Sequence, residues 1–391
     1  MRPRRDGSKG WMEQKTAYLD NAATTRACPA AVEAAARMMR DCFGNPSSLH
    51  GMGLASAREM ASAREAVAAL LGCQTECVTF TSGGSEANNL AIFGGAAARA
   101  RRGGKLVTTA AEHSSVSAAM KRLGEQGWEV TYVKPGPNGK IDAEAFAAAV
   151  DEQTALVSMM LVNNETGAIF PVAEAAKLIR RKNPETLIHC DGVQALGKLP
   201  LRVSRMEIDL MSVSGHKICG PKGSGALYVR RGVRILPQIC GGGQEKGLRS
   251  GTENLPAIAG FGAACAQLAG KMQQNFTRAQ ALRDRLAGQL AAVDGVRLNS
   301  PADGSPYIVN FSVPGYRSET MLHFLESRGV YVSSGSACSK GATSPVLTSM
   351  GLPAPVVDGA LRVSFIYDTA EEELDMLISA LREGMAKVAH K

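Results

Sequence analysis

Residues 212–225 read SVSGHKICGPKGSG, and Lys217 stands there between a histidine and a run of glycines, directly after an apolar segment. A lysine in such a place either neutralises a phosphate, as in a nucleotide-binding loop, or bonds covalently to a carbonyl carbon as a nucleophile. A nucleotide-binding loop has the spacing GxxxxGK[ST] and opens a helix. Lys217 lacks that spacing, and the glycines around Lys222 lead into GALYVR, which reads as a strand. The pattern speaks against nucleotide hydrolysis.

Other residues suit a cofactor that brings its own phosphate and aldehyde. TSGGSEANN, residues 81–89, follows a strand-like run and opens a helix. There the backbone of Gly84 and Ser85 and the Ser85 hydroxyl can hold an anion, although the same residues also suit an ordinary N-cap turn. Pyridoxal phosphate needs a phosphate cup, a lysine for its aldehyde, an acid against its ring nitrogen and often a ring stacked on its face. Asp191 ends TLIHCD, Gln194 follows three residues later, His113 lies in TTAAEHSSV, and Ser214 and His216 flank Lys217 as further phosphate donors. Singly, an aspartate after a strand caps a turn, and a histidine is satisfied in a core or on the surface. Their joint order along the chain is what points to the cofactor.

The elements that must position these residues follow from periodicity. CVTFTS, KLVTTA, EVTYVK, ALVSMMLV, TLIHCD, IDLMSVS and GALYVR alternate with helix-period stretches between about residues 75 and 230, which predicts a mostly parallel sheet covered by helices. GALYVR follows IDLMSVS too soon for a helical crossover, so that pair is predicted to be antiparallel. Ligands of such sheets collect at the carboxyl ends of the strands. The sequence predicts a basic tail over 1–15, a large α/β domain over 16–259 and a smaller α+β domain over 260–391, with long helices around YIVNFSV and LRVSFIY.

Composition bounds the rest. The 391 residues are 45% hydrophobic and 20% charged, with a net charge of +8. The longest apolar runs reach about eight residues, far short of the roughly 20 that span a bilayer, and the basic N-terminus lacks the apolar core of a secretory signal. Aromatics are only 5% and do not interleave with the basic residues, which weighs against nucleic-acid binding. Nine cysteines include no CxxC pair, so neither a disulfide framework nor a zinc site is expected, and a cytoplasmic location is.

The chain resembles the cysteine desulfurases of the NifS/IscS type, within the class V aminotransferase superfamily, from YLDNAATTR to LRVSFIYDT. The motifs that carry the resemblance include GNPSSLHGMG, TSGGSEANNLAI, EHSSV, NNETGAIFPV, DGVQALGKLP, SGHKICGPKGSGALYVR, GGGQEKGLRSGTEN and SSGSACSKG. It implies fold type I of the pyridoxal-phosphate enzymes. Lys217 then bonds the cofactor aldehyde, Asp191 pairs with the ring nitrogen, Gln194 and Asn164 bond the ring oxygen, and His113 stacks on the ring. Gly84, Ser85, Ser214 and His216 would hold the phosphate, joined by Thr252 from the neighbouring subunit of a homodimer. Arg362 would fork onto the carboxylate of the substrate L-cysteine, and Asn21 would line that pocket or cap a turn.

Cys338, set among Ser, Gly, Ala and Lys, is expected on an exposed, mobile loop, where a thiol can enter the pocket and leave carrying sulfur as a persulfide; Lys340 favours its thiolate. The other eight cysteines are expected to be small buried hydrophobes, with Cys240 left open as a second reactive thiol. The segment from Cys338 to Met350 is a residue or two shorter than in well-known members that feed scaffolds. The sulfur acceptor therefore stays open among an iron–sulfur scaffold, a tRNA thiolation enzyme and another sulfur carrier. The rival readings are a selenocysteine lyase or aminotransferase of the same class, and a non-catalytic nucleic-acid-binding module.

Overall fold

The computed structural model describes residues 15–334 and 343–388. Its strands, in chain order, are β1 (Ala17–Tyr18), β2 (Val78–Thr81), β3 (Lys105–Thr109), β4 (Glu129–Val133), β5 (Thr154–Met160), β6 (Leu187–Asp191), β7 (Leu210–Ser214), β8 (Gly225–Val229), β9 (Arg297–Leu298), β10 (Ile308–Ser312), β11 (Val330–Tyr331) and β12 (Ala360–Ser364). Each of the seven strands anticipated between residues 75 and 230 is present, and together they form one sheet in the order β2-β8-β7-β6-β5-β3-β4. β3 to β7 pair in parallel, whereas β8 runs antiparallel to both β7 and β2.

Side-chain alternation explains why this sheet lies in the middle. Leu106, Leu156, Leu187, Leu210 and Leu227 pack with Leu90 and Ile92 of the helix Gly84–Arg99. Their sequence neighbours Val107, Val157, Ile188, Met211 and Ala226 join a different cluster, with Ile179 of the helix Val172–Lys182 and Phe261 of the helix Leu255–Leu268. Successive residues of a strand face opposite ways, so apolar residues at both parities require helices on both faces. Burying one such leucine contributes roughly 1.5–3 kcal/mol. Gly95 lets the Gly84 helix approach closely, since a Cβ there would stand 2.7 Å from Leu156 Cδ1.

A second core forms on the antiparallel sheet β9-β10-β12. Phe311, Leu361 and Phe365 pack there against Leu282 and Leu286 of the helix Met272–Ala291 and Leu374, Leu377 and Leu381 of the helix Glu371–Lys387. β1 pairs in parallel with β11, and Ala17 and Leu19 belong to this second core. The helix Leu255–Leu268 runs unbroken through residues 259 and 260 and packs on the helices Pro29–Arg40 and Gly51–Leu71. The two cores therefore do not divide at a single point in the sequence. No helix among the described residues is long and apolar enough to cross a membrane.

Candidate active site

Strand ends gather the chemistry. Asp191 is the last residue of β6 and Ser214 the last of β7, while Lys217 closes the short turn Gly215–Lys217 that follows. His113 is the N-cap of the helix Ser114–Glu125, shortly after β3, and Gly84 opens its helix after β2. A Cβ on Gly84 would lie 2.7 Å from Val193 Cγ2 and 3.7 Å from Ser214 Cβ. This helix N-terminus is thus seated at the ends of β6 and β7, and its first turn carries the exposed Ser85.

Lys217 is half-buried, and its Nζ donates to the carbonyls of Ala22 and Ala23, both at 2.7 Å. Those carbonyls belong to the segment that crosses from the second core to the first. It is pinned there by Thr25, whose Oγ1 donates to the His216 carbonyl at 2.9 Å and accepts from Cys219 N at 2.8 Å. The His216 ring meets Thr24 Oγ1 at 3.2 Å. Burial first, then Lys217 and its neighbouring lysines, push His216 down to about 4, so its ring is neutral near pH 7.

Asp191 is buried, its Oδ2 accepting from Asn88 Nδ2 at 2.7 Å and its Oδ1 from Val193 N at 3.0 Å. Asn88 Nδ2 also donates to Ser115 Oγ at 2.8 Å, and that hydroxyl lies 2.8 Å from His113 Nδ1. A chain of hydrogen bonds thus ties Asp191 to His113. Burial lowers the His113 pKa, Asp191 opposes that shift and Lys217 adds to it, so the three groups share one electrostatic environment. Two residues before Asp191, His189 is buried between the hydroxyls of Ser158 and Ser212 at 2.8 and 2.9 Å. Desolvation drops it to about 3 and keeps it uncharged.

Arg362, in β12, is buried and held at two corners: Nη1 donates to the Asn164 carbonyl at 2.9 Å and Nη2 to Asp20 Oδ1 at 2.8 Å. Its Nε has no partner among the described residues. Glu165, next to Asn164, accepts from the Ser344 hydroxyl and is raised by burial to about 7, with Arg362 pulling the other way. Gln194 Nε2 donates to the Ala22 carbonyl at 2.9 Å, the oxygen that also takes the Lys217 amine. The backbone therefore brings Lys217, Gln194 and, through the same segment, Arg362 together.

Asn21 is buried, and its Nδ2 donates to the carbonyls of Tyr18 and Ser364 at 3.0 Å each, stitching β1 to β12, while its Oδ1 has no partner among the described residues. Thr252 is exposed in the segment before the helix Leu255–Leu268. Asn164 reaches Arg362 through its carbonyl, not its amide. Cys240 is exposed, not a buried hydrophobe, because the glycines beside it offer no core. Cys338 lies outside the described residues. Asn88, Asp20, Ala22 and Ala23 were not foreseen; only Asn88 had a usable signal, standing one helical turn after Gly84.

The donor set fits pyridoxal phosphate. An amine, a buried carboxylate held by an amide, an uncharged imidazole and a helix N-terminus beside Ser214 converge, and each matches one part of the cofactor.

The sheet order and its two helical layers are those of fold type I of the pyridoxal-phosphate transferases. Residues 17–377 match the family model described as aminotransferase class V, and the chain belongs to that family. It is 40% identical over 370 residues to a cysteine desulfurase of a Nostoc species, covering 94% of this chain and 92% of that protein. A solved NifS-like protein superposes with a TM-score of 0.90 at 37% identity, over 95% of this chain and all of its own. SspA, solved in complex with cysteine, superposes with a TM-score of 0.80 at 32% identity, over 91% of this chain and 100% of that one.

Proposed function

We propose that the protein is a cysteine desulfurase that takes sulfur from L-cysteine, releases L-alanine and carries the sulfur as a persulfide on Cys338. The observation that carries this reading is the convergence of Lys217, Asp191 and His113 at three strand ends, beside the helix that begins at Gly84. Pyridoxal phosphate, when bound, supplies an aldehyde for an amine and a ring that takes up electrons from Cα.

Asp191, held by Asn88, would pair with the ring nitrogen, and His113 would stack on the ring. Gly84, Ser85, Ser214 and His216 hold the phosphate. Gln194 and Asn164 bond the ring oxygen, and Asn21 borders the substrate side. Arg362 has its plane fixed by Asp20 and the Asn164 carbonyl, and receives the substrate carboxylate as a planar fork. The Lys217 amine would be the group that moves the Cα proton. The Cys338 thiolate attacks the substrate sulfur; an S–S bond forms as the C–S bond breaks, the electron pair of that bond stays with Cβ and takes up a proton, and the carbon skeleton leaves as alanine.

Relatives named cysteine desulfurase and the cysteine complex of SspA support this choice of substrate over transamination. A homodimer is supported by the large apolar side chains exposed between residues 32 and 54, among them Met39, Phe43, Leu49 and Leu54. The exposure of Thr252 agrees with a role across that interface. The acceptor is a sulfur-carrying protein of iron–sulfur assembly or tRNA thiolation, and the location is cytoplasmic.

The test is Cys338→Ala. It keeps the yellow colour of the bound cofactor but forms neither persulfide nor sulfide from L-cysteine. Alanine production by that variant at the wild-type rate would refute the role of Cys338.

A further inference from the structure

Lys198 is a buried lysine that no step above uses. Its Nζ donates to Gln194 Oε1 at 2.9 Å. Gln194 Nε2 donates in turn to the Ala22 carbonyl at 2.9 Å, and that oxygen accepts from Lys217 Nζ at 2.7 Å. The Tyr307 ring stands 5.9 Å from the Lys198 ammonium. The charged groups that face it are Lys217 and Arg362, with the Cys219 thiol as the remaining titratable neighbour, and no carboxylate among the described residues pairs with it. Burial, then repulsion from Lys217, lowers its pKa to about 7.

A charge buried without an acid is costly, so the geometry of its one side-chain hydrogen bond is informative. An ammonium has donors only and can face only the oxygen of an amide. Lys198 therefore helps decide which end of Gln194 points toward Lys217. The Ala22 carbonyl favours the same orientation from the other end, so removing Lys198 takes away one of the two contacts that hold it.

We propose that Lys198 is a positioning residue for the Lys217 site: by holding Gln194 Oε1 it presents Gln194 Nε2 as a donor to the ring oxygen of pyridoxal phosphate. This rests on the reading of Lys217 given above. It predicts that Lys198 acts through Gln194 and on the cofactor, not on folding alone.

The experiment measures the Kd for pyridoxal phosphate and the position of the visible band in the wild type, Lys198→Met, Lys198→Gln, Gln194→Leu and the double variant Lys198→Met/Gln194→Leu. Lys198→Met is expected to weaken cofactor binding by roughly 3- to 15-fold, the worth of one lost hydrogen bond, and to move the band. Lys198→Gln, which keeps a shorter donor, falls between it and the wild type. The double variant behaves as Gln194→Leu alone, because the effect passes through one side chain. Wild-type Kd and band position in Lys198→Met, or losses that add in full to those of Gln194→Leu, would overturn the proposal. If Lys198→Met does not fold, wild-type values in Lys198→Gln overturn it equally. A wild type that binds no pyridoxal phosphate removes the reading of Lys217 and this one with it; a wild type that binds, beside an indistinguishable variant, removes only the role of Lys198.

Discussion

Asp20 Oδ1 accepts a hydrogen bond from Arg362 Nη2 at 2.8 Å, joining residues 342 positions apart. Two residues after Asp20, the carbonyls of Ala22 and Ala23 receive the Lys217 amine. One short segment thus braces both the arginine that would take the substrate carboxylate and the lysine that would take the cofactor. Arg362 is also bridged to Ser333 through its backbone, in both directions.

Arg362→Lys keeps the charge and loses the fork. The KM for L-cysteine should rise by roughly 10- to 100-fold, since a charge-assisted hydrogen bond is worth about 1.5–3 kcal/mol, with a smaller change in kcat. Steady-state alanine production checks this, and a KM within twofold of the wild type would count against the assignment.

Asn88→Ala removes the donor to Asp191 Oδ2 and cuts the chain that reaches His113 through Ser115. Cofactor affinity should fall by roughly 10-fold, the scale of one buried hydrogen bond made to a charge. Equilibrium dialysis with pyridoxal phosphate measures it; an unchanged Kd would mean that Asp191 is held adequately without Asn88.

The strands and the residues at their ends were legible because strand-like runs of six to eight residues alternate with helical ones, and each end carries an unusual polar type. The antiparallel turn into β8 was legible from loop length alone. The brace at residues 20–25 was not. Its contacts to Lys217 are backbone carbonyls, which every residue type possesses, and its partner Arg362 is remote in sequence. Lys198 was hidden for another reason, since a lysine in GKLP reads as surface until the fold buries it. The helix Gly51–Leu71 was hidden because its alanines, serines and glycines give little apolar contrast between faces.

Glu112 supplies a pH test. It is buried, with Oε1 accepting from Thr109 and Met160 N while Oε2 has no partner among the described residues. Burial raises its pKa from 4.5 to about 8. Between those values the folded chain keeps a proton that the unfolded chain has lost, so this residue's contribution to stability falls as pH rises through that window and is flat above it. Glu112→Gln lacks that decline. Its stability relative to the wild type should improve between pH 5 and pH 8.5 by on the order of 2 kcal/mol, read by urea unfolding at each pH. Parallel stability curves would contradict the raised carboxyl.

The central claim is a covalent bond between Lys217 and pyridoxal phosphate. Borohydride reduction of the cofactor-loaded protein, followed by peptide mass spectrometry, measures it directly. The account predicts the pyridoxyl phosphate mass on the peptide that contains Lys217, at that residue. An unmodified Lys217, or the same mass on Lys198 or Lys222 instead, would contradict it.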